Sequence, residues 1–214
     1  MSNDRRRGWY GTLRRVRRTL TLALVGALTL AGCGGSGTPG AGGEEATLAL
    51  DARPNATHVG IYVALAREYD DAEGVQLSIA KGAGTDFRIV PIDELATADQ
   101  LVGVMAMLQR GRGEEWPPLL LAVERSKLRD DRDVVDATIA ALRRGYEEAL
   151  RDPELAAEIV GRDGPADRGT VLRDLRALGA SFTNGRRFGE LDRGRLERWA
   201  RPRGVDVEEA FLLG

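Results

Sequence analysis

The strongest constraint on this chain lies at its amino terminus, where arginine-rich sequence runs into a short apolar stretch and a cysteine. Seven arginines precede the apolar residues 19–30, and the stretch ends at Leu30-Ala31-Gly32-Cys33. The apolar stretch is too short to span a bilayer. A positive segment, a short apolar segment and small residues before a cleavage point are typical of an export signal. We therefore expect the fold to be built only from residues downstream of this signal.

The cysteine after the small residues resembles the acylation site of a bacterial lipoprotein. In such signals the cut falls before the cysteine, so the resemblance implies that Cys33 carries acyl chains such as palmitate. The protein would then be lipid-anchored on the extracytoplasmic side of the cell membrane. An ordinary signal peptide with a chance cysteine is the alternative. The doublets Arg14-Arg15 and Arg17-Arg18 leave twin-arginine export open, although the fuller motif is missing.

The sequence predicts three parts: a signal at 1–32, an acylated cysteine with a glycine-rich tether at 33–45, and a folded domain at 46–214. Glycine-rich segments behave as flexible chains. Cys33 is the only cysteine, so its acylation leaves no thiol for a disulfide, a nucleophile or a zinc site. The domain must therefore be stabilised by a hydrophobic core alone.

Charge excludes one class of partner. The whole chain has a formal charge of −2, and the first 32 residues carry seven Arg against one Asp, so about −8 lies on the remainder. Proteins that bind polyanions present basic surfaces. We therefore expect no nucleic-acid partner.

Strand and helix patterns alternate through the first half of the domain and predict an α/β fold, with a parallel-type sheet flanked by helices. The first strand, helix and second strand predict parallel pairing with a right-handed crossover. Gly161 is predicted to end the helix that begins at Asp152-Pro153. Short apolar runs predict strands at 47–50, 75–79, 87–90, 102–107 and 119–123, and helical spacing predicts helices at 55–69, 93–98, 135–149, 153–161, 168–178 and 191–200.

Residues 48–64 read LALDARPNATHVGIYVA, and Glu73-Gly74-Val75 follows. This opening resembles the pattern Asp-Trp-x-Pro-Asn-x-x-His-x-Gly-x-Tyr-x-Ala of the thiamine-pyrimidine-precursor branch of the nitrate, sulfonate and taurine binding proteins of ABC importers. Residues 86–96, 102–109 and 143–154 are similar to later segments of that family. The resemblance implies a periplasmic-binding-protein-like fold, in which two lobes close over a small ligand.

The chain departs from the family at three places. Ala52 replaces the aromatic residue of the opening pattern, and residues 79–86 leave room for a tight link where the family has a helix. Residues 110–118 stand where the family has most of its second lobe. We therefore expect first-lobe elements at 46–109, a shortened crossover at 110–118, and a return strand with carboxyl-terminal helices at 119–214. The second lobe is expected to be reduced or missing.

Four residues of the opening segment are candidate ligand contacts: Asp51, Asn55, His58 and Tyr62. Asp51 follows a predicted strand, and its carboxylate is suited to accept hydrogen bonds from an aminopyrimidine or a cationic amine. His58 and Tyr62 are one helical turn apart, so they are suited to face the same pocket. Each residue has a structural alternative: Asp51 holds the turn, Asn55 caps a helix, His58 caps or is solvated, and Tyr62 packs in the core.

Catalytic patterns are missing from the sequence. It has one histidine, no Gly-x-Ser-x-Gly elbow and no glycine-rich nucleotide fingerprint, so we expect no enzyme, no cofactor and no metal. The resulting hypothesis is a solute-binding lipoprotein whose partners are a small ligand and the permease and ATPase subunits of an ABC importer. The alternative is a truncated, non-transporting envelope lipoprotein of the same lineage, with an interaction role or no function.

Overall fold

A single mixed sheet organises the part of the chain that the structure describes. The structure is a computed structural model, and it describes residues 43–82, 84–109, 119–164, 166–183 and 185–213. The predicted signal, Cys33 and the crossover at 110–118 lie outside these residues, as does all but the end of the predicted tether. The strands are β1 Glu44–Ala49, β2 Val75–Ala80, β3 Phe87–Val90, β4 Leu101–Leu108 and β5 Leu119–Glu124.

The strand order is β2-β1-β3-β5-β4. β1 pairs in parallel with β2 and β3, and β1 and β2 are joined through helical segments, which confirms the predicted strand–helix–strand unit. β5 lies between β3 and β4 and is antiparallel to both. The α/β class is therefore confirmed, with a sheet that is parallel on one side and antiparallel on the other. Only residues 109–118 connect β4 to β5, so the described fold has the size of one lobe.

Helices cover much of both faces of the sheet. A 3₁₀ turn at Ala56–His58 precedes the first α-helix, and a second one lies at Arg201–Arg203. The α-helices are α1 Val59–Ala66, α2 Tyr69–Ala72, α3 Ile92–Leu95, α4 Arg125–Asp130, α5 Arg132–Arg151, α6 Pro153–Asp163, α7 Arg168–Thr183, α8 Arg193–Ala200 and α9 Val207–Ala210.

Each of the six predicted helices differs from its observed counterpart at one end or both, and two of these differences bear on how the chain packs. The helix predicted at 55–69 is divided, because Glu68 has a left-handed backbone (φ 55°) that no α-helix continues through. The helix predicted to end at Gly161 continues to Asp163. Gly161 instead permits a close approach of α7, since a β-carbon at this position would lie 3.0 Å from the Arg168 β-carbon.

The core has one part on each face of the sheet. On one face, α1, α5, α6 and α7 bury large side chains that include Leu48, Phe87 and Tyr146. On the other face, Trp199 and Phe211 pack around Leu120 and Ala122. Burial of each large apolar side chain contributes about 1.5–3 kcal/mol, which is how a domain without disulfides is held together.

Among the described residues, the second face is only partly covered over β1 and β2. The link from β2 to β3 holds no helix in its described residues, as the short spacing predicts. Ser78 is exposed, and Thr47, Ala49 and Ala80 are only half-buried. Both β-sheet edges, by contrast, carry added hydrogen bonds. Asp70 Oδ2 accepts from Leu77 N–H of β2 at 3.1 Å, and on β4 the Ala106 N–H donates to the Gly189 carbonyl at 3.2 Å.

Candidate functional site

The candidate site lies where the chain leaves the carboxyl end of β1. β1 ends at Ala49, the backbone turns through Asp51–Pro54, and Asn55 begins the 3₁₀ turn that leads into α1. Open α/β sheets bind ligands beyond the carboxyl ends of their strands. The turn therefore presents its side chains at the edge of the sheet where this architecture places ligands.

Asp51 and His58 form a hydrogen-bonded pair. His58 Nε2 lies 2.7 Å from Asp51 Oδ1, and His58 Nδ1 lies 3.3 Å from the backbone nitrogen of Asn55. A backbone N–H only donates, so Nδ1 accepts this bond and the ring proton is on Nε2. His58 is fully buried, whereas the Asp51 side chain is 21% exposed. The pair thus orients a partly exposed carboxylate from inside the protein.

Asn55 is the cap of the 3₁₀ turn. Its Oδ1 accepts hydrogen bonds from the backbone N–H and the hydroxyl of Thr57, both at 2.7 Å, and its Nδ2 donates to the Arg53 carbonyl at 3.1 Å. His58 completes a reciprocal capping box with the Asn55 backbone. The capping interpretation of Asn55 is confirmed, and it fixes the shape of the turn around Asp51.

Tyr62 lies one turn further along, within the core. It is 9% exposed, and burial raises the pKa of its phenol. The packing alternative therefore describes its place in the fold. The structure brings Asp51, Asn55 and His58 together, whereas Tyr62 is packed in the core. Direct contacts of these four residues with a ligand stay predictions.

Tyr146 of α5 is a further member of the site that sequence reasoning missed. Its hydroxyl donates to the Thr57 carbonyl at 2.6 Å, and its ring is stacked on Phe188 with centroids 4.1 Å apart. Tyr146 is fully buried, and burial together with the negative charge of Asp51 raises its phenol pKa well above the usual value. The phenol thus stays neutral and supports the turn from the core side.

The arrangement of the described residues offers a hydrogen-bond acceptor at the Asp51 carboxylate. Asp51 Oδ1 is engaged by His58, and within the described ranges its Oδ2 has no hydrogen-bond partner. Both nitrogens of the neutral His58 ring are hydrogen-bonded, one to the Asn55 N–H and the other to Asp51. Among the described residues no group of three or more His, Cys, Asp or Glu side chains is arranged to hold a metal ion. The chemistry available here is recognition of an N–H donor or a cation.

Two shallow grooves lie elsewhere, on the side of the sheet where β3 begins. The first has a volume of about 250 Å³, and Lys127 in it is held by Asp86 at 3.3 Å and by Asp131 at 2.9 Å. Asp86 also accepts from the backbone N–H and the hydroxyl of Thr47. The second groove, of about 260 Å³, is lined by Glu44 and residues 129–134. These charges largely satisfy one another, and neither groove is lined by Asp51.

None of the helices in the described ranges has the length and apolar character needed to cross a membrane.

Comparisons with known proteins identify the fold. No family model matches the chain, and no curated protein sequence matches it. Among solved structures it is similar to a conserved gene product of Candida albicans, described as defining a new family of proteins with the generic periplasmic binding protein structural fold. The two are 10% identical with a TM-score of 0.55, over 78% of this chain and 96% of that chain. An identity this low shows the fold alone, and the domain has the periplasmic-binding-protein fold with a sheet of one lobe.

Proposed function

We propose that this chain is the solute-binding lipoprotein of an ABC importer, and that it captures a small heteroaromatic or amine-bearing nutrient similar to the pyrimidine precursor of thiamine. The observation that carries the proposal is the Asp51 carboxylate, 21% exposed at the carboxyl end of β1 and held by His58 at 2.7 Å. A rigid carboxylate at this edge is suited to accept an amino group or an ammonium.

Recognition at Asp51 needs no bond-breaking step. A hydrogen bond to a charged group contributes about 1.5–3 kcal/mol, so one such contact contributes to affinity but does not by itself give tight binding. The remainder must come from burial of the ligand. In this proposal the protein is not an enzyme, because the imidazole beside the carboxylate is fully committed to Asp51 and Asn55.

Two parts of the proposal rest on the sequence alone: the thiamine-precursor branch of the family and the location of the protein. The opening Asp51 to Ala64 follows the thiamine-precursor pattern at its Asp, Pro-Asn, His, Gly, Tyr and Ala positions. The Leu30–Cys33 stretch supports a lipid anchor on the extracytoplasmic side. The permease and ATPase subunits of the importer are the proposed partners.

A second candidate function is that of a non-transporting envelope lipoprotein with an interaction role. It is favoured by the connection between β4 and β5, which consists of residues 109–118 where the resemblance implies most of a second lobe. Ligand sites commonly bury 70–90% or more of a small ligand, which half a cleft does not achieve alone.

Thermal unfolding of the full-length protein in mild detergent, with a ligand panel, separates the two. The panel contains hydroxymethyl- and aminomethyl-pyrimidines, thiamine, riboflavin, taurine and nitrate. A ligand present at one hundred times its dissociation constant stabilises the fold by about 2.7 kcal/mol, which moves the midpoint by several degrees.

The proposal predicts that one amine-bearing compound raises the midpoint of the wild type but not that of Asp51→Ala. Asp99→Ala is the matched control, because Asp99 is an exposed carboxylate on the turn before β4. A cooperative transition that no compound moves would favour the interaction role. A shift that persists in Asp51→Ala would contradict the site.

A further inference from the structure

We infer that His58 is a positioning residue whose uncharged, Nε2-protonated form sets Asp51 for its ligand, and that a second proton on His58 disables the site. The inference rests on the proposed function in taking Asp51 as the ligand contact. It goes further because it assigns the imidazole a role without ligand contact and makes the site sensitive to pH.

The hydrogen bonds around the imidazole allow one neutral form. Asn55 N–H points at Nδ1 from 3.3 Å, so Nδ1 must carry a lone pair. Nε2 then carries the proton and donates it to Asp51 Oδ1 at 2.7 Å. The tautomer is therefore fixed by the backbone of the same turn whose carboxylate it orients.

A second proton has no acceptor in this arrangement. Protonated Nδ1 and the Asn55 N–H would be two donors facing each other, and the fully buried ring is shielded from bulk solvent. The conflict is relieved only if the Asn55 backbone moves. Since Asn55 also holds Thr57 through its Oδ1, this movement displaces the cap and with it the Asp51 turn.

The charge of the imidazolium acts in the same direction. A cationic ring 2.7 Å from Asp51 neutralises the carboxylate that is proposed to attract an amine. Loss of the turn geometry and loss of the negative charge both weaken binding. The site therefore binds its ligand when His58 is neutral and releases it when His58 is protonated.

Other ionisable groups lie on the elements that pack around the 51–58 segment. Asp51 lies in the turn after β1, Tyr62 lies on α1 and Tyr146 lies on α5. Both tyrosine phenols have raised pKa values and stay neutral. On α7, which packs against the 56–58 turn, Arg173 pairs with Asp174, Arg176 pairs with Glu154, and Arg168 is exposed. Asp51 is therefore the charged group in direct contact with the ring.

NMR of the full-length, tag-free protein tests the tautomer and its consequence without any ligand. His58 is the only histidine, so selective ¹⁵N-histidine labelling gives one ring to observe. At pH 8 we expect a protonated Nε2 and an unprotonated Nδ1. On acidification, the ring nitrogens and the Asn55 amide are expected to move with one shared midpoint. A protonated Nδ1 at pH 8, or a ring that titrates while the Asn55 amide stays still, would overturn the inference.

The His58→Gln variant separates positioning from mere structural support. A glutamine amide can donate to Asp51 but takes up no proton in this pH range, so the Asn55 amide of a folded variant is expected to lose its pH dependence. The binding probe is an aminomethyl-pyrimidine, titrated by calorimetry at pH 8 and pH 5. Wild-type affinity is expected to fall by up to about tenfold for each pH unit below the midpoint, whereas the variant changes little.

The calorimetric binding experiment and the NMR experiment can fail independently of each other. If the pyrimidine binds at neither pH, the proposed function fails in this form, while the NMR arm still tests the tautomer and the moving turn. If the pyrimidine binds equally at both pH values although His58 has titrated, the inference fails and the proposed function stands.

Discussion

The ring of Tyr146 lies directly against the backbone of Gly60. A β-carbon at position 60 would come within 2.1 Å of the ring carbons, and one at Gly145 would come within 2.1 Å of the Gly60 carbonyl oxygen. α1 and α5 therefore touch through their backbones. This close approach allows the Tyr146 hydroxyl to reach the Thr57 carbonyl and so connects the helix packing to the candidate site.

Alanine at either glycine is predicted to destabilise the domain. Overpacking of this kind costs typically 1–3 kcal/mol, and a contact with backbone or with a stacked ring leaves little room to adjust, so we expect about 3 kcal/mol for Gly60→Ala and for Gly145→Ala. Urea denaturation measures the loss. Gly179→Ala in α7 is the matched control, because a β-carbon there meets nothing within 4 Å, and it should be neutral or stabilising by up to about 1 kcal/mol. Equal effects at all three positions would refute the close contact.

Tyr146→Phe is predicted to cost about 1 kcal/mol, since it removes one hydrogen bond and leaves the Thr57 carbonyl without this donor. The stacking on Phe188 is kept, so the variant should unfold cooperatively. Differential scanning calorimetry checks the loss, and the Asn55 amide shift should report a disturbed turn. A variant as stable as the wild type with an unmoved Asn55 amide would show that the phenol does not support the site.

Asp70 gives a distinctive pH dependence. Burial raises its pKa above the ordinary value, more than the Leu77 N–H hydrogen bond lowers it, and its Oδ1 is buried without a hydrogen-bond partner among the described residues. The native state therefore holds this proton more tightly than the unfolded state, so the stabilising contribution is present in acid and is lost as pH rises through the native pKa.

The Asp70→Asn substitution removes the loss of stability that the wild type shows as pH rises. Relative to wild type, the variant is predicted to gain about 1.4 kcal/mol for each unit by which the native pKa exceeds the unfolded one, over the pH range between the two values. Denaturant unfolding from pH 4 to pH 8 measures it. Asp99→Asn, an exposed carboxylate, should run parallel to the wild type, and a parallel profile for Asp70→Asn would contradict the buried acid.

Asp86 should behave in the opposite way. Burial acts to raise its pKa, but hydrogen bonds from Thr47 and the charge of Lys127 outweigh it and lower the pKa below the ordinary value. The carboxylate thus contributes stability at neutral pH that is lost as pH falls through the native pKa. Asp86→Asn is predicted to cost about 1.5–3 kcal/mol at pH 7 and progressively less in acid. Unfolding curves at pH 7 and pH 3 check it, and a pH-independent cost would rule out the ionised contact.

Short-range features of the site follow from the sequence. The strand before Asp51 is predicted from its apolar residues, the cap at Asn55 from the residue type, and the position of Tyr62 in the core from helical spacing. These features depend on residues within a few positions of one another. The same locality explains why the capping role of His58 could be weighed from the sequence, since its backbone partner is three residues away.

The remaining features depend on contacts between distant parts of the chain. Tyr146 lies 89 positions from Thr57, and Asp86 lies 39 positions from Thr47, so no local pattern distinguishes either from an ordinary core or solvated residue. Glycine often marks the end of a helix, yet in the structure Gly161 lies within α6 and allows α7 to approach it closely. The mixed sheet is likewise set by β5, whose direction depends on how the chain returns after residue 109.

An NMR titration of ¹⁵N-labelled full-length protein with an aminomethyl-pyrimidine at pH 8 tests directly whether Asp51 contacts the ligand. If the Asp51 carboxylate, oriented by His58, is the ligand contact, saturable shifts should appear at the Asn55 amide and at the His58 ring of the wild type. They should vanish in Asp51→Ala and persist in Asp99→Ala. Saturable shifts at these two groups that survive Asp51→Ala, or saturable binding that moves neither group, would show that Asp51 is not the ligand contact.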